Sequence, residues 1–448
     1  GAVTAVSEPV HLSLYYDWLK DSGADVSAVR LEASQAGDRV VTTRTVQGGE
    51  ILLVIPLASV ISGLQLFSTP LAPLLHSYVF EDDEADATAA LFLLYEYHQG
   101  NASRLYPFVQ QMPRVLNVSD VTFDVKEISR LGSRSLLSHV LDSQARRDAM
   151  FKHLGRLLQE LWPRIPLGPW PPAWWTLDEF AWALGVIHTR SWSLGLPVPS
   201  ALQESAPWPS GSMQRVVVPI VHLMNHKPCT TPPLNDFRTD LGARNRTDAA
   251  EFPRLLVMRA KKEYVVGEEI WECYGPHSNR GLFGVFGFAL DTCVDTDFAM
   301  ITLYDGLLPK GATHAIPIDG SLPLSLVQTA RLAAEHKIEF ELLARGLEQD
   351  DIDDSEPDIL EEEALIELET YTQVQHLLQA EQLRFGRGFE DRPDNQGLFA
   401  HGSLRQHWDR VRRCEYRAIF KAKDIAQGQV QKWTAELADL RARTLEEE

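Results

Sequence analysis

The order of strand-like and helix-like segments is the strongest constraint on the fold of this chain. Strand patterns occupy about residues 28–62, in "AVRLEA", "RVVTTR" and "EILLVIP". Apolar residues with helical spacing then run from about residue 86 to residue 162. Strand patterns return in "QRVVVPIVHLM", "RLLVMRAKK" and "EEIWECY", and beyond about residue 323 only long helical patterns follow. This order predicts an α+β fold with a helical insertion and a second, all-helical domain.

Length also favours two domains. At 448 residues, the chain is longer than one hydrophobic core normally supports. We therefore expect one domain over residues 1–323, with a helical insertion at about residues 64–190, and an all-helical domain over residues 324–448.

The acidic balance of the chain limits its partners. The formal net charge is −20, whereas a general nucleic-acid binder needs a basic surface to displace counterions from phosphate. We therefore expect no nucleic-acid partner, whereas the negative charge allows a basic protein segment as a partner. The acidic run at residues 348–363 has two interpretations: a solvated loop between helices, which we favour, and a docking surface for basic peptides. The oligomeric state stays open, with a monomer favoured.

The cysteines predict neither a zinc site nor a disulfide framework. No two of them are spaced as C-x-x-C, and four are too few for a disulfide scaffold in a chain of this length. We expect a reducing compartment and favour the cytoplasm, with the nucleus and, after removal of a transit peptide, a plastid as alternatives. The four residues are Cys229, Cys273, Cys293 and Cys414.

No membrane partner is expected. The longest uncharged apolar run, residues 51–67, contains Pro56 and Gly63, so it predicts strands and a turn instead of a membrane-spanning helix. The opening residues "GAVTAVSEPV" have neither the basic nor the apolar region of a secretory signal, so none is expected.

A segment rich in proline and tryptophan, "WPRIPLGPWPPAWW", occupies residues 162–175. We favour a rigid loop whose tryptophans pack on their own domain, and the alternative is a polyproline ligand for another protein. Thr176 and Glu179 then form a capping box that predicts the start of a helix through "FAWALGVIHTR". Arg190 is thereby expected at the C-terminal end of this helix.

Polar residues at the ends of apolar segments are candidates for a functional site. Gly37 lies between two strand patterns, where glycine allows either a turn or the close approach of a ligand. Arg190 suits either the helix dipole or a carboxylate ligand. Asn225 and His226 follow the apolar "VVVPIVHLM", and Tyr274 follows "EEIWECY", so all three are expected where strands end.

A metal site at His222 and His226 is not favoured. Their spacing of four suits a helix face, but the preceding valines predict a strand, and no glutamate stands beside His222 as in a zinc-protease helix. We therefore expect no metal.

Taken in this order, the segments resemble a known family. The chain is similar to SET-domain protein methyltransferases in five features that follow one another in the same order. They are the glycine turn, the helical insertion, the helix ending in Thr-Arg, "NH" at residues 225–226 and "GEEIWECYGPHSNRGLFGVFGF" at residues 267–288. Within that family, the chain resembles the branch of the Rubisco large-subunit lysine methyltransferase and the actin histidine methyltransferase over nearly its whole length. The resemblance implies a SET-type β fold with a helical insertion, followed by an all-helical substrate-binding domain.

The resemblance also implies S-adenosylmethionine as the methyl donor, bound without a metal. The backbone of residues 36–38 would hold its methionine portion, and the backbone of His226 would contact its adenine. Arg190 would pair with the donor carboxylate, and Asn225 would contact the amino group. The implied donor-site residues are Ala36, Gly37, Asp38, Arg190, Asn225, His226 and Tyr274.

A protein target in a narrow channel is implied as well, with Tyr274 as the catalytic residue at its mouth and Phe286 and Phe288 as channel residues. Methyl transfer from a sulfonium is an in-line displacement, so the protein mainly positions the reactants. The attacking lysine must be neutral although its usual pKa is ~10.4. Tyr274 need not remove the lysine proton itself, and we assign it to orienting the nucleophile. The implied activity is lysine methylation of a non-histone protein.

Three residues depart from the family pattern. Arg39 replaces the second glycine of a Gly-x-Gly turn and is expected to crowd or supplement the donor site. His222 stands where an aspartate is common, which alters a hydrogen bond. Phe286 replaces the tyrosine of "YGF", which predicts a more apolar channel and an altered number of added methyl groups. Two alternatives stay open: a histidine target in the same fold, and a non-catalytic SET scaffold, which Arg39 and His222 favour.

Overall fold

The structure is a computed structural model that describes most of the chain. It covers residues 9–34, 37–75, 82–116, 118–196, 213–230, 235–240, 255–302, 313–344, 356–390 and 404–447. The chain divides into two compact units. The first comprises Gly1–Pro276 and Gly284–Gly287, and the second comprises His277–Phe283 and Phe288–Glu448. The predicted division between residues 323 and 324 stays a prediction.

The described elements follow the predicted order, and the α+β class is confirmed. The strands are β1 (Val29–Ser34), β2 (Gly37–Thr42), β3 (Ile51–Pro56), β4 (Ile61–Ser62), β5 (Trp192–Gly195), β6 (Met213–Val217), β7 (Asn225–His226), β8 (Asn235–Asp240), β9 (Leu255–Ala260), β10 (Trp271–Glu272), β11 (Phe298–Thr302) and β12 (Thr313–Pro317). The helices are α1 (Pro9–Asp21), α2 (Ala72–Leu75), α3 (Asp82–His98), α4 (Tyr106–Val109), α5 (Val125–Arg130), α6 (Arg134–Leu161), α7 (Leu177–Arg190), α8 (Asn279–Phe286), α9 (Leu324–Ala344), α10 (Glu356–Glu390) and α11 (Leu404–Glu447).

The strands of the first unit form small sheets instead of one large one. Two antiparallel sheets have three strands each, in the orders β3-β9-β8 and β4-β6-β5. The strands β1 and β2 make an antiparallel hairpin, and the short strands β7 and β10 pair in parallel. The parallel pair brings together two segments that are far apart in the sequence, which is what positions the candidate site.

Helix α3 lies in the core of the first unit. Every residue from Ala85 to Leu94 is buried, as expected for a helix that is apolar on all sides. Burying each large apolar side chain stabilises the fold by about 1.5–3 kcal/mol, so this helix organises the unit around it.

Helix α7 begins as predicted. The Thr176 hydroxyl accepts a hydrogen bond of 3.2 Å from the Glu179 backbone N–H, which confirms the N-cap. The Glu179 carboxylate binds Arg114 at 2.7 Å and His98 at 3.3 Å, so it forms contacts outside the predicted box. The helix ends at Arg190, as predicted.

The segment rich in proline and tryptophan packs on its own unit. Trp175 stacks on Phe151 with ring centroids 4.8 Å apart, and it contacts Phe180 at 5.8 Å. Trp162 and Trp170 lie 5.0 Å apart, and the Trp162 indole donates to the Gly168 carbonyl at 2.8 Å. These contacts support the rigid-loop interpretation over the polyproline ligand.

The run "VVVPIVHLM" was predicted as one strand ending at Asn225, and this is wrong. Strand β6 ends at Val217, and a single 3-10 turn, Val221–Leu223, follows it. Ile220 between them has a φ of 67°, a left-handed conformation that is costly for a β-branched residue. Its backbone N–H donates to the buried Tyr15 hydroxyl at 3.0 Å, so a distant side chain stabilises the turn.

The second unit contains the β11–β12 hairpin and the long helices α9, α10 and α11, around a core that includes Ile301, Leu378 and Ile419. Part of the acidic run was predicted as a loop, but residues 356–363 belong to helix α10, and residues 348–355 lie outside the described residues. Among the described helices, none has the length and apolar character needed to cross a membrane.

Candidate functional site

The parallel pairing of β7 and β10 forms the centre of the candidate site. Asn225 faces Trp271 and His226 faces Glu272 in this ladder, and the Lys227 N–H donates to the Glu272 carbonyl at 2.9 Å. The pairing therefore places the Asn-His dipeptide beside the segment that ends in Tyr274.

Tyr274 is hydrogen-bonded through both its side chain and its backbone. Its hydroxyl donates to the Met224 carbonyl at 2.6 Å, and its backbone N–H donates to the His226 ring Nδ1 at 3.2 Å. Burial raises the pKa of Tyr274 to about 12, although the positive charge of Arg190 acts in the opposite direction. The side chain is therefore a neutral hydroxyl at physiological pH, suited to hydrogen bonding and not to removing a proton.

Arg190 reaches the same region from the end of helix α7. Its Nη1 donates to the His222 carbonyl at 3.2 Å, while its buried Nε has no hydrogen-bond partner. Among the described residues it forms no ion pair. Burial lowers the pKa of Arg190, and Tyr274 and Asp38 are near enough to raise it in part. Such a cation is complementary to an anionic ligand.

Asn225 links the hairpin to the parallel pair. Its side-chain Nδ2 donates to the Asp38 backbone carbonyl at 3.3 Å and to the Glu269 carboxylate at 2.8 Å. The Asp38 backbone, Asn225, Arg190 and Tyr274 are thus brought together from four separate segments.

The early glycine turn is the tip of the β1–β2 hairpin. Gly37 pairs with Ser34 in the register, and Ala36 lies outside the described residues. Arg39 was expected to crowd or supplement the donor site. That expectation stays a prediction; in the structure the Arg39 Nη2 forms an ion pair of 2.8 Å with Glu32 across the hairpin.

Phe286 lies directly against Tyr274, with ring centroids 4.7 Å apart. Gly287 follows with a φ of 75°, and an added Cβ would lie 2.7 Å from the Val118 Cβ, so both the backbone conformation and the space require glycine there. Gly284 meets no such close contact. Phe288 belongs to the second unit.

A buried carboxyl group, Glu272, was missed by the sequence analysis. The Asn235 Nδ2 donates to it at 2.7 Å, and the Tyr264 hydroxyl donates to the Asn235 Oδ1 at 2.8 Å. Burial raises the pKa of Glu272 to about 7. The available signal was strand alternation, because residues two apart share a face and Glu272 stands two before Tyr274.

No disulfide framework was predicted, yet the structure pairs all four cysteines. Cys229 is bonded to Cys273, with Cα atoms 5.0 Å apart, and Cys293 is bonded to Cys414, with Cα atoms 5.6 Å apart. Their separations of 44 and 121 residues carry no spacing signal, because only the folded chain brings them together. Asp297 lies beside the second pair, with the three possible donor atoms within 4.8 Å of one another, and it accepts a hydrogen bond from the Val294 N–H at 2.8 Å.

The chain is similar to solved structures of Rubisco LSMT. The SET domain of LSMT bound to lysine and AdoHcy matches with a TM-score of 0.64 at 16% identity, covering 95% of this chain and 93% of that chain. Rubisco LSMT bound to sinefungin and monomethyllysine matches with a TM-score of 0.62 at 17% identity, covering 94% and 93%. Rubisco LSMT bound to AdoMet matches with a TM-score of 0.54 at 17% identity, covering 96% and 93%. No protein-family model matches the chain, and no curated protein matches its sequence.

These matches establish the fold. The chain has the SET-type fold of the LSMT structures, with a C-terminal helical region, over nearly its whole length. The resemblance drawn from the motifs is confirmed at that level.

Proposed function

We propose that the chain is an S-adenosylmethionine-dependent methyltransferase that modifies a lysine side chain of a non-histone protein. The observation that carries the proposal is the meeting of Asp38, Arg190, Asn225 and Tyr274 within a SET-type fold. These residues come from a hairpin strand, a helix end, strand β7 and the segment that follows strand β10. The LSMT structures that share this fold bind AdoMet or AdoHcy and lysine.

The site fits the amino-acid end of the donor. A buried guanidinium nitrogen without a partner is costly, and a ligand carboxylate supplies the missing acceptor and the opposite charge. Arg190 would bind this carboxylate, and Asn225 with the Asp38 carbonyl would lie at the amino group. His226 would contact the adenine through its backbone, and Gly37 at the end of the hairpin would border the methionine portion.

When bound, the donor supplies an electrophilic methyl group on a sulfonium. Tyr274 then has two tasks that its geometry supports: its neutral hydroxyl orients the attacking nitrogen, and its bond to the Met224 carbonyl keeps the ring in place. The proton of the substrate ammonium leaves to solvent before the attack, because a tyrosine with a pKa of about 12 stays protonated itself. Phe286 forms an apolar wall beside the hydroxyl and excludes water from that side.

A histidine target is the second candidate. It is favoured by Phe286, whose ring lies 4.7 Å from that of Tyr274 and offers a flat apolar surface to a planar imidazole. The non-catalytic alternative rests on Arg39, which forms an ion pair with Glu32, and on His222. The acidic net charge of −20 supports a basic segment around the target residue.

The test combines donor binding with transfer. Calorimetry with S-adenosylmethionine and S-adenosylhomocysteine should show binding, and incubation with labelled donor and a whole cell extract should label a protein. Mass spectrometry of that protein then identifies lysine or histidine as the methylated residue. No binding heat and no thermal shift at millimolar ligand would contradict the proposal, and binding without any transfer would favour the non-catalytic scaffold.

A further inference from the structure

A disulfide cross-links the two segments of the parallel pair close to where its strands end. Strand β7 ends at His226 and Cys229 follows shortly after it, while Cys273 comes directly after strand β10. The Cα atoms of the two cysteines lie 5.0 Å apart, within the usual range for a disulfide. Each strand has 2 residues, and parallel pairing is slightly weaker per residue than antiparallel pairing. The disulfide therefore reinforces a short contact.

The same two segments position Tyr274. Its hydroxyl donates to the Met224 carbonyl and its backbone N–H donates to the His226 ring, so both bonds cross from the β10 segment to the β7 segment. Cys273 is the neighbour of Tyr274 in the chain, and its disulfide makes the same crossing. Opening the disulfide removes the covalent part of this connection, so the Tyr274 hydroxyl becomes less firmly placed.

The effect of opening the disulfide is expected to stay local. The two cysteines are separated by 44 positions, and the strands β8 and β9 lie between them. These strands pair with each other, and β9 also pairs with β3. Because that sheet does not depend on the cross-link, the change is confined to the parallel pair and the segment that ends in Tyr274.

The two disulfides of the chain differ in their access to solvent. Cys229 is exposed and Cys273 is half-buried, whereas Cys293 is half-buried and Cys414 is only 3% exposed. Thiol–disulfide exchange requires a thiolate to reach one of the two sulfurs, so exposed disulfides are the labile ones. The Cys229 sulfur is therefore the preferred point of attack.

Attack at Cys229 also has a stabilised leaving group. The Gly275 backbone N–H donates to the Cys273 Sγ at 3.2 Å, and a thiolate formed at that sulfur accepts the same hydrogen bond. Exchange is faster when the leaving thiolate is more stable. The local backbone thus favours release of Cys273 when Cys229 is attacked.

A dithiol completes the reaction without a further reactant. Its first thiolate attacks the Cys229 sulfur, the bond between the two cysteines breaks, a mixed disulfide forms and Cys273 leaves as a thiolate. Its second thiol then attacks the reductant sulfur of the mixed disulfide and releases Cys229. Two electrons and two protons pass from the dithiol to the cysteine pair, and the dithiol itself becomes a disulfide.

We propose that Cys229 and Cys273 form a reversible thiol–disulfide exchange site for dithiols that controls methyl transfer at Tyr274. The oxidised pair keeps Tyr274 in place for transfer, and the reduced pair lowers the rate. Donor affinity changes little, because Arg190 reaches the donor site from the end of helix α7. The control of transfer rests on the proposed function, whereas the exchange itself does not.

The first experiment tests the exchange on the wild-type chain. The native protein is treated with oxidised glutathione and then with increasing dithiothreitol, free thiols are trapped with iodoacetamide, and peptide mass spectrometry identifies the alkylated cysteines. We expect half-alkylation of Cys229 and Cys273 at a dithiothreitol concentration at least about 10-fold below that for Cys293 and Cys414. Equal concentrations for both pairs would overturn the proposal, and so would alkylation of Cys229 and Cys273 without any dithiothreitol.

The second experiment tests the control of transfer, with labelled donor and a cell extract freed of thiols. Cys229→Ser prevents the disulfide at an exposed position, and Cys293→Ser is the matched control in the other pair. Cys229→Ser should transfer at least about 5-fold more slowly than the oxidised wild type, because its nucleophile is less well positioned. Dithiothreitol that reduces only the first pair should slow the wild type and Cys293→Ser equally and leave Cys229→Ser unchanged.

The outcomes separate this proposal from the proposed function. Selective reduction of Cys229 and Cys273 with an unchanged rate would overturn their control of Tyr274 and leave the methyltransferase intact. A response of Cys229→Ser equal to that of the wild type would assign the effect to other thiols and overturn it as well. If the oxidised wild type neither binds S-adenosylhomocysteine nor labels a protein, the proposed function fails, and the alkylation series still decides whether the exchange site exists.

Discussion

Arg280 and Arg190 have different surroundings, and the difference indicates which of the two charges is structural and which is available for binding. In the second unit, Arg280 donates to Glu415 at 2.7 Å, with side-chain exposures of 15% and 4%, and it lies over the Trp408 ring at 5.9 Å. In the first unit, Arg190 donates to the His222 backbone carbonyl at 3.2 Å, its buried Nε has no hydrogen-bond partner, and it forms no ion pair with a described residue.

The comparison indicates what each charge is for. A buried ion pair is internally compensated, so removing one member leaves the other charge buried and alone. A guanidinium without a counter-charge has no such partner to lose, and its electrostatic potential remains available to a ligand. Arg280 is therefore expected to contribute to the stability of its unit, and Arg190 to binding.

The largest expected effect is that of Arg280→Met on stability. Removing the cation leaves Glu415 buried without its partner, and breaking such a pair costs about 3–5 kcal/mol. Chemical denaturation monitored by circular dichroism measures the free energy of unfolding, and calorimetry should show unchanged affinity for S-adenosylhomocysteine. A loss of less than about 1 kcal/mol in the free energy of unfolding is typical of weak surface ion pairs. It would contradict the structural role of Arg280.

Glu272 extends the comparison to a buried acid that has amide partners and no ion pair among the described residues. Its folded-state pKa of about 7 lies above the usual 4.5, so the folded protein holds this proton more tightly than the unfolded chain. The resulting stability is present below pH 4.5 and is lost as the pH rises through about 7. Glu272→Gln keeps the acceptor for Asn235 and removes the charge, so its stability relative to wild type should rise by about 2–3 kcal/mol between pH 5 and pH 8. Chemical denaturation at pH 5 and pH 8 measures the free energy of unfolding of both proteins. The same difference between Glu272→Gln and wild type at both pH values would contradict this prediction.

Tyr274 sharpens the functional side of the comparison, because its hydroxyl is neutral and already bonded to a carbonyl. Tyr274→Phe removes the hydroxyl and should lower the rate of methyl transfer by about 100-fold, the size of effect expected when one positioned hydrogen-bonding group is lost at a reacting centre. Donor affinity should stay within about 3-fold of wild type, since Arg190 and Asn225 are untouched. Single-turnover transfer and calorimetry separate the two quantities. Wild-type turnover from this variant would remove Tyr274 from the proposed mechanism.

Local signals predicted part of the molecule well. The Thr176 cap and the end of helix α7 at Arg190 depend on residues close together in the sequence, so they could be read from the sequence alone. Tyr274 likewise follows strand β10, as predicted, whereas Asn225 and His226 form a short strand of their own after the 3-10 turn.

Features that depend on distant residues could not be predicted in this way. The left-handed Ile220 ends strand β6 early, and it is stabilised by a hydroxyl 205 positions away, at Tyr15. The pairing of Arg39 with Glu32 depends on the hairpin register, and the burial of Glu272 depends on Asn235 in another strand. Each is a tertiary contact that overrides the local pattern.

The smallest expected effect tests the proposed role of Arg190 in ligand binding most directly. Arg190→Met removes the uncompensated cation and should weaken S-adenosylhomocysteine binding by about 30-fold, the usual contribution of a hydrogen bond to a charged group. The free energy of unfolding should stay within about 1 kcal/mol of wild type, because no buried counter-charge is left behind. Calorimetry and denaturation are carried out on both Arg190→Met and Arg280→Met. Arg190→Met should lose affinity for S-adenosylhomocysteine and keep its stability, whereas Arg280→Met should lose stability and keep its affinity. If Arg190→Met instead unfolds the first unit while leaving affinity unchanged, the orphaned Nε is a structural feature and the donor carboxylate binds elsewhere.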